Sequence, residues 1–331
     1  MIILKKIELH CHLDGSLNLE HAARLAGRDV TRDMVCLKNG NLKDYLTKFA
    51  LPIELLQTEE NLTEFSRLLA LDLVKDEVIY AEIRFCPLFH TRRGLNPHAV
   101  IDAVAAGLRA VPELSFGLIL CMMREFDEST NRRIIDIARA NLSGAVCGLD
   151  LAGDEAAHPN REFEELFKTA LLHRIPLTIH AGEADGPTGV DDALVFCTSR
   201  IGHGVRAIES SQTVDLLVAS QIPLEVCPTS NVNTGIYPHV AGHSIRQLLD
   251  AGVAVTINTD NRTVSNTTLS DEYELLRERL CFNDQDFLQC NISAVLGAFA
   301  PNDLKVSLIH QLMADYNDRR SRKLGRYAQS S

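Results

Sequence analysis

Residues 7–15 read Ile7-Glu8-Leu9-His10-Cys11-His12-Leu13-Asp14-Gly15. The stretch predicts a strand over 7–12 that stops in polar residues. Side chains at i and i+2 of an extended strand share a face. His10 and His12 are therefore expected to project together, with Cys11 pointing the other way. Two imidazoles side by side at a strand end suit a metal ion. Two ordinary histidines near a terminus are the plainer reading, and the rest of the chain has to choose between them.

Outward from this strand, apolar and β-branched runs recur at 78–85, 116–122, 146–151, 177–180, 201–204, 224–226 and 254–259. Between them lie segments of helical periodicity, among them 62–73, 132–140, 162–172, 213–219, 244–250 and 271–280. Strands alternating with helices imply parallel pairing and right-handed crossovers. Eight such units predict an α/β fold, a (β/α)8 TIM barrel, in a single domain over 1–331. An open doubly wound sheet is the alternative, but neither G-x-G-x-x-G nor a phosphate-binding G-x-x-x-x-G-K-[ST] follows any strand. The connection from about Gly15 to Asp76 is far longer than a βα loop. It reads as a helical insertion after the first strand, with a helix over 42–49, placed to cover the site.

Composition narrows the class. The formal net charge is -11, which argues against a nucleic-acid surface. The nine cysteines are scattered with no C-x-x-C, as expected of a reduced, cytoplasmic protein whose thiols are mostly buried. No window is long and apolar enough to span a membrane, and the start of the chain is too briefly apolar for a signal peptide. The basic run Arg319-Arg320-Ser321-Arg322-Lys323 reads as the solvated end of a helix. Oligomeric state is not legible.

In a barrel, chemistry sits at the strand ends. Here they carry His10 and His12, then Asp150-Leu151-Ala152-Gly153-Asp154-Glu155, His180-Ala181-Gly182-Glu183, Gly202-His203-Gly204, Cys227-Pro228-Thr229-Ser230-Asn231 and Asn258-Thr259-Asp260-Asn261. Each alone has an ordinary explanation: a turn for His203, a helix cap for Asp260. Together, at one end of successive strands, they describe a site. His10, His12, His180 and Asp260 form a ligand set of three imidazoles and a carboxylate, suited to one catalytic zinc rather than a structural one. The fourth strand offers no lysine to bridge a second metal.

The set H-x-H-L-D-G, D-L-A-G-D-E, H-A-G-E, R-I-G-H-G, C-P-T-S-N and N-T-D resembles the adenosine deaminase family of the metal-dependent amidohydrolase superfamily, in order along nearly the whole chain. The other zinc deaminase class, with H-x-E and P-C-x-x-C, is not matched. The resemblance implies zinc-dependent hydrolytic deamination of adenosine and 2'-deoxyadenosine, a small-molecule purine nucleoside being the partner. It implies that Glu183 protonates purine N1, that His203 orients the attacking water, and that Asp260 adds a hydrogen bond to that water. It assigns Gly153 to purine N3 and Asp14 to a ribose hydroxyl, with His12 also facing the substrate. Leu42, Tyr45, Leu46 and Phe49 match the family's apolar wall over the ribose, or are ordinary core.

One position departs from the pattern. Family members commonly carry two aspartates where this chain has Asp260-Asn261. The second contacts purine N7, and Asn261 can still donate there. Relatives that act on adenine, modified adenosines or aminofutalosine-type nucleosides therefore stay open as alternatives. Rivals from other classes are an amidohydrolase acting on an amide or lactone, and a non-catalytic binding protein. The first needs no acid at Glu183; the second predicts a lost ligand or acid.

Overall fold

The computed structural model describes residues 4–37 and 40–329. Eight parallel strands run in chain order: β1 (Lys6–His12), β2 (Val78–Phe85), β3 (Ser115–Met123), β4 (Val146–Ala152), β5 (Thr178–Ala181), β6 (Arg200–His203), β7 (Leu224–Val226) and β8 (Val255–Ile257). They pair as β1-β2-β3-β4 and β5-β6-β7-β8. A bridge between Leu149 and Leu177 joins the two groups at one seam, and one between Cys11 and Asp260 joins them at the other. The result is the expected (β/α)8 barrel. The strands are buried on both faces, which is why they read as near-continuous apolar runs.

The second seam explains why the last strand is shorter than its apolar run. Leu9 N–H donates to the Asn258 side chain at 3.0 Å, and Thr259 N–H to the Glu8 carboxyl at 3.2 Å. Side chains there replace the backbone ladder. Backbone pairing returns only at Asp260, whose N–H donates to His10 O at 2.8 Å and whose O accepts from His12 N–H at 2.7 Å.

The insertion between β1 and β2 is helical, as its periodicity predicts. It includes Leu19–Ala26, Leu42–Leu46 continued by a 3-10 turn at Thr47–Phe49, Ala50–Leu55 and Glu59–Lys75. The longest of these starts at Thr58, whose side chain accepts from Asn61 N–H and so satisfies an otherwise unpaired amide. It packs on Pro97–Arg109 at Gly107, where a Cβ would stand 2.1 Å from Thr63 O. At the opposite end of the chain, Asp284–Gly297 and Asn302–Gln329 cover Ile7, Leu9 and Tyr80 with Val295, Leu308 and Leu312. Arg319–Ser321 lie in that last helix; the side chains of Arg322 and Lys323 lie outside the described ones. Among the described residues, no helix is long and apolar enough to cross a membrane. Five cysteines are buried.

Candidate active site at the C-terminal mouth of the barrel

The strand ends converge. His10 and His12 share a face of β1 with ring centroids 5.3 Å apart, while Cys11 points away to Ser16. His180 at β5 comes within 4.7 Å of His10, and His203 at β6 within 4.8 Å. One donor atom each from His10, His180, His203 and Asp260 lies within 4.8 Å of all the others. His12 Nε2 is 3.4 Å from Asp260 Oδ1, the same distance as His10 Nε2. His203 and Asp260 both hold left-handed backbone, with φ of 61° and 60°. Such strain in non-glycine residues is sustained only where surrounding structure enforces it.

What enforces the imidazole orientations lies one layer down. His10 Nδ1 bonds Glu225 at 2.8 Å, and His180 Nδ1 bonds Asp150 at 3.1 Å. Arg84 links these two carboxylates at 2.7 and 3.0 Å. Arg200 then joins Glu225 to Glu82 at 2.5 and 2.6 Å. All five charges are fully buried inside the barrel. Burial opposes ionisation of Glu225, but Arg84 and Arg200 hold it well below the usual carboxylate range. Burial likewise opposes ionisation of Asp150, and His180 with Arg84 overcomes it. A carboxylate on Nδ1 fixes the ring and leaves Nε2 as the ligating atom. Sequence reasoning gave no role to Glu82, Arg84, Arg200 or Glu225. Their signal was present as charges within otherwise apolar strand runs.

A cavity of about 290 Å³ opens beside the cluster. Asp14, Gly153, Glu183, Asp260 and Asn261 line it, together with His12, His180 and His203. His10 lies just beneath. Leu42, Tyr45, Leu46 and Phe49 line it too, so the apolar face of the insertion is a cavity wall. Burial, reinforced by the charge of Asp260, pushes the Glu183 carboxyl up to about 8. Glu183 Oε1 is 3.2 Å from Thr234 Oγ1, and Oε2 is 3.6 Å from His203 Nε2. Asp260 stays ionised: burial disfavours this, but His10 and His12 hold its carboxyl far below the ordinary value. Its Oδ2 accepts from Ser230 Oγ at 2.5 Å.

The remaining candidates have built surroundings. Asp14 is buried, and its Oδ1 has no hydrogen-bond partner. Gly153 has a φ of 110°, and a Cβ there would meet the Glu125 carboxylate at 2.6 Å. Asn261 turns Oδ1 towards Gly15, where a Cβ would stand 1.8 Å away. Glu155, quoted in the sequence motif without a task, accepts the N–H groups of Gly182, Glu183, Ala184 and Asp185 at 2.7–3.2 Å.

Clustered imidazoles and carboxylates at the C-terminal mouth of a barrel, beside a carboxyl with a raised pKa, define a site suited to metal-assisted hydrolysis. The adenosine deaminase family model matches residues 5–315. An adenosine deaminase from Haemophilus ducreyi is 37% identical over 330 residues, covering 94% of this chain and 96% of that protein. Adenine deaminase from Arthrobacter aurescens superposes with a TM-score of 0.87 at 27% identity, over 94% of this chain and 98% of that one. The N6-methyl-AMP deaminase of Arabidopsis thaliana superposes at 0.84 and 25% identity, over 94% and 97%. The chain belongs to the adenosine deaminase family.

Proposed function

We propose that this chain, as one catalytic domain over 1–331, deaminates adenosine and 2'-deoxyadenosine to the corresponding inosine and ammonia. The observation that carries the reading is the single cavity that brings Glu183, Asp260, Asn261 and the imidazole cluster together under an apolar wall. His10, His12, His180 and Asp260 would hold one zinc. The donor set fits that ion: His10 Nε2 is buried without a hydrogen-bond partner, and carboxylates orient the rings of His10 and His180 from behind. Bound there, zinc lowers the pKa of water towards neutrality and so supplies a nucleophile.

The chain's own groups account for the rest. Glu183, protonated near neutral pH, gives its proton to purine N1 and makes C6 electrophilic. His203 and Asp260 orient the attacking water. The water oxygen bonds to C6 as the C6–N6 bond breaks; of its two protons, one leaves with N6 as ammonia and the other restores the Glu183 carboxyl. Gly153 N–H addresses N3, Asn261 addresses N7, and Asp14 takes a ribose hydroxyl. His12 also faces the substrate.

The cavity favours a nucleoside over a nucleotide. No Lys or Arg is among the described residues lining it, whereas Asp14 and Glu125 are. That arrangement accepts hydroxyl donors and offers a phosphate no countercharge. The scattered, largely buried thiols fit a cytoplasmic enzyme. The deciding experiment is ammonia release from a panel of 6-aminopurines: adenine, adenosine, 2'-deoxyadenosine, N6-methyladenosine, aminofutalosine and AMP. Preference for adenosine and 2'-deoxyadenosine supports the reading. Preference for adenine or aminofutalosine overturns the substrate assignment.

A further inference from the structure

Behind His203 runs a chain of hydrogen bonds that begins at a backbone amide. Ile245 N–H donates to His243 Nδ1 at 3.0 Å. A backbone N–H can only donate, so that ring nitrogen is an acceptor. In the neutral ring the proton is then on Nε2. His243 is buried, which pushes its pKa down to about 3, so it is neutral throughout the working range. Its Nε2 lies 3.2 Å from Asn231 Oδ1. The amide oxygen accepts that proton, which fixes the orientation of the whole amide group. Asn231 Nδ2 therefore faces His203 Nδ1, at 3.1 Å, as a donor.

From this geometry we infer that Asn231 and His243 are positioning residues that lock His203 in the tautomer with its proton on Nε2. The inference rests on the reading of His203 as the group facing the attacking oxygen. It separates His203 from His10 and His180. Those two place Nδ1 against carboxylates, which demand a proton there and leave Nε2 free to ligate. His203 has the opposite polarity: Nδ1 accepts, and Nε2–H points into the site beside Glu183. It is thus a hydrogen-bond donor to the attacking oxygen. It has no lone pair left with which to take that water's proton or to join the metal ligands. The lock is built rather than incidental. Asn231 and His203 are at most 1% exposed, and His243 is buried with its ring against Tyr237 at 4.4 Å.

The test reads the tautomer directly. Histidine is labelled with a nitrogen isotope in the full chain, zinc-loaded and chelated, and ring nitrogens are correlated with carbon-bound protons. The His203 signals are assigned by their loss in His203→Gln. The proton is expected on Nε2 in both preparations. Asn231→Asp keeps the shape but presents an acceptor to Nδ1, so the proton should move to Nδ1. Losing a preorganised donor costs ~10²–10³-fold in kcat, and KM and zinc content should change little. His243→Gln keeps a donor for Asn231 Oδ1 and should keep the wild-type tautomer; His243→Leu frees the amide and should give a mixture. If Asn231→Asp does not fold, the two His243 variants still decide. A wild-type proton on Nδ1, or a tautomer indifferent to these variants, overturns the lock. Failure to deaminate adenosine with Nε2–H intact would overturn only the functional reading.

Discussion

The Glu155 carboxylate accepts the backbone N–H of Glu183 at 3.0 Å, and it holds the amides of Gly182, Ala184 and Asp185 as well. Four donors converging on one buried carboxylate form an anion nest made by the loop that carries the proposed acid. The same oxygen set packs against Gly189, where a Cβ would lie 2.5 Å from Oε1. Glu155→Gln should therefore be costly despite its shape. Its amide hydrogens would face donors and leave at least one buried N–H unpaired, a loss of about 1–3 kcal/mol. Urea unfolding measures the stability, and steady-state kinetics should show a lower kcat from a loosened Glu183. A variant with wild-type stability and kcat would mean the nest is dispensable.

For Glu183 the direction of the shift sets the pH dependence. Burial raises its carboxyl to about 8, so the proton is present below that value and lost above it. The rate should hold through neutrality and fall as pH rises through the folded pKa. A bound dication lowers that pKa, so the alkaline limb belongs at or below about pH 8. Glu183→Gln has no acidic proton, and general acid catalysis is worth ~10²–10⁴-fold. Its kcat should drop at least that far, with zinc retained and the alkaline limb gone. A variant within a few-fold of wild type would remove Glu183 from the mechanism.

Asn261 is tested against the substrate atom it is proposed to read. Asn261→Ala should cost about 0.5–1.5 kcal/mol with adenosine, or more if N7 is left buried without a donor. Replacing N7 by carbon also changes ring reactivity, so the measurement is a cycle of adenosine and 7-deazaadenosine against wild type and variant. Equal losses for both substrates mean that Asn261 does not read N7. Asn261→Asp should stay active but acquire an alkaline-side loss, because a carboxyl donates only while protonated. Gly15→Ala offers a control from the other side. Its Cβ would displace the Asn261 amide, so it should erode the same discrimination.

The barrel was legible because parallel strands buried on both faces leave continuous apolar runs, and because those runs stop in titratable residues at one end. Cys11 between two histidines announced its own orientation through the period of two. What spacing does not encode is which distant partner a polar residue meets. Glu155 stood in view within D-L-A-G-D-E, yet its task depends on four amides 27–30 residues further on. Asn231 stood within C-P-T-S-N, and its polarity is set by Ile245 through His243. The seam between β1 and β8 was misjudged in length for the same reason. Asn258 and Glu8 use side chains where the apolar pattern predicted a backbone ladder.

Metal removal should expose the charge balance beneath the site. His10 and His180 are held by Glu225 and Asp150, and Asp260 faces the Nε2 of His10. Without a cation, the ionised Asp260 and the clustered imidazoles lose the group that would share their lone pairs. Chelation should abolish activity and lower the melting temperature, since an ion that binds only the folded state stabilises it by mass action. About one equivalent of zinc should restore both. Full activity in a metal-free preparation would rule out the metal-dependent reading.

Substrate charge supplies the sharpest separation from the N6-methyl-AMP deaminase to which the fold is similar. Cationic side chains hold a 5'-phosphate most directly, and none lines the described cavity. Asp14 is buried there with an oxygen lacking any partner, and Glu125 stands exposed near Gly153, taking the Asp154 N–H at 3.1 Å. Burial pushes the Asp14 carboxyl up to about 7, so a dianion entering above that pH meets like charge from Asp14 and from the exposed, solvent-screened Glu125. The kcat/KM for AMP and N6-methyl-AMP should therefore fall at least ~10²-fold below that for adenosine. Asp14→Asn should narrow the gap from both directions, easing phosphate entry while weakening the ribose contact. Glu125→Gln should narrow it less, because an exposed charge is screened. Comparable efficiency on AMP would show that the acidic lining does not select the substrate, and would move the assignment from nucleosides to nucleotides.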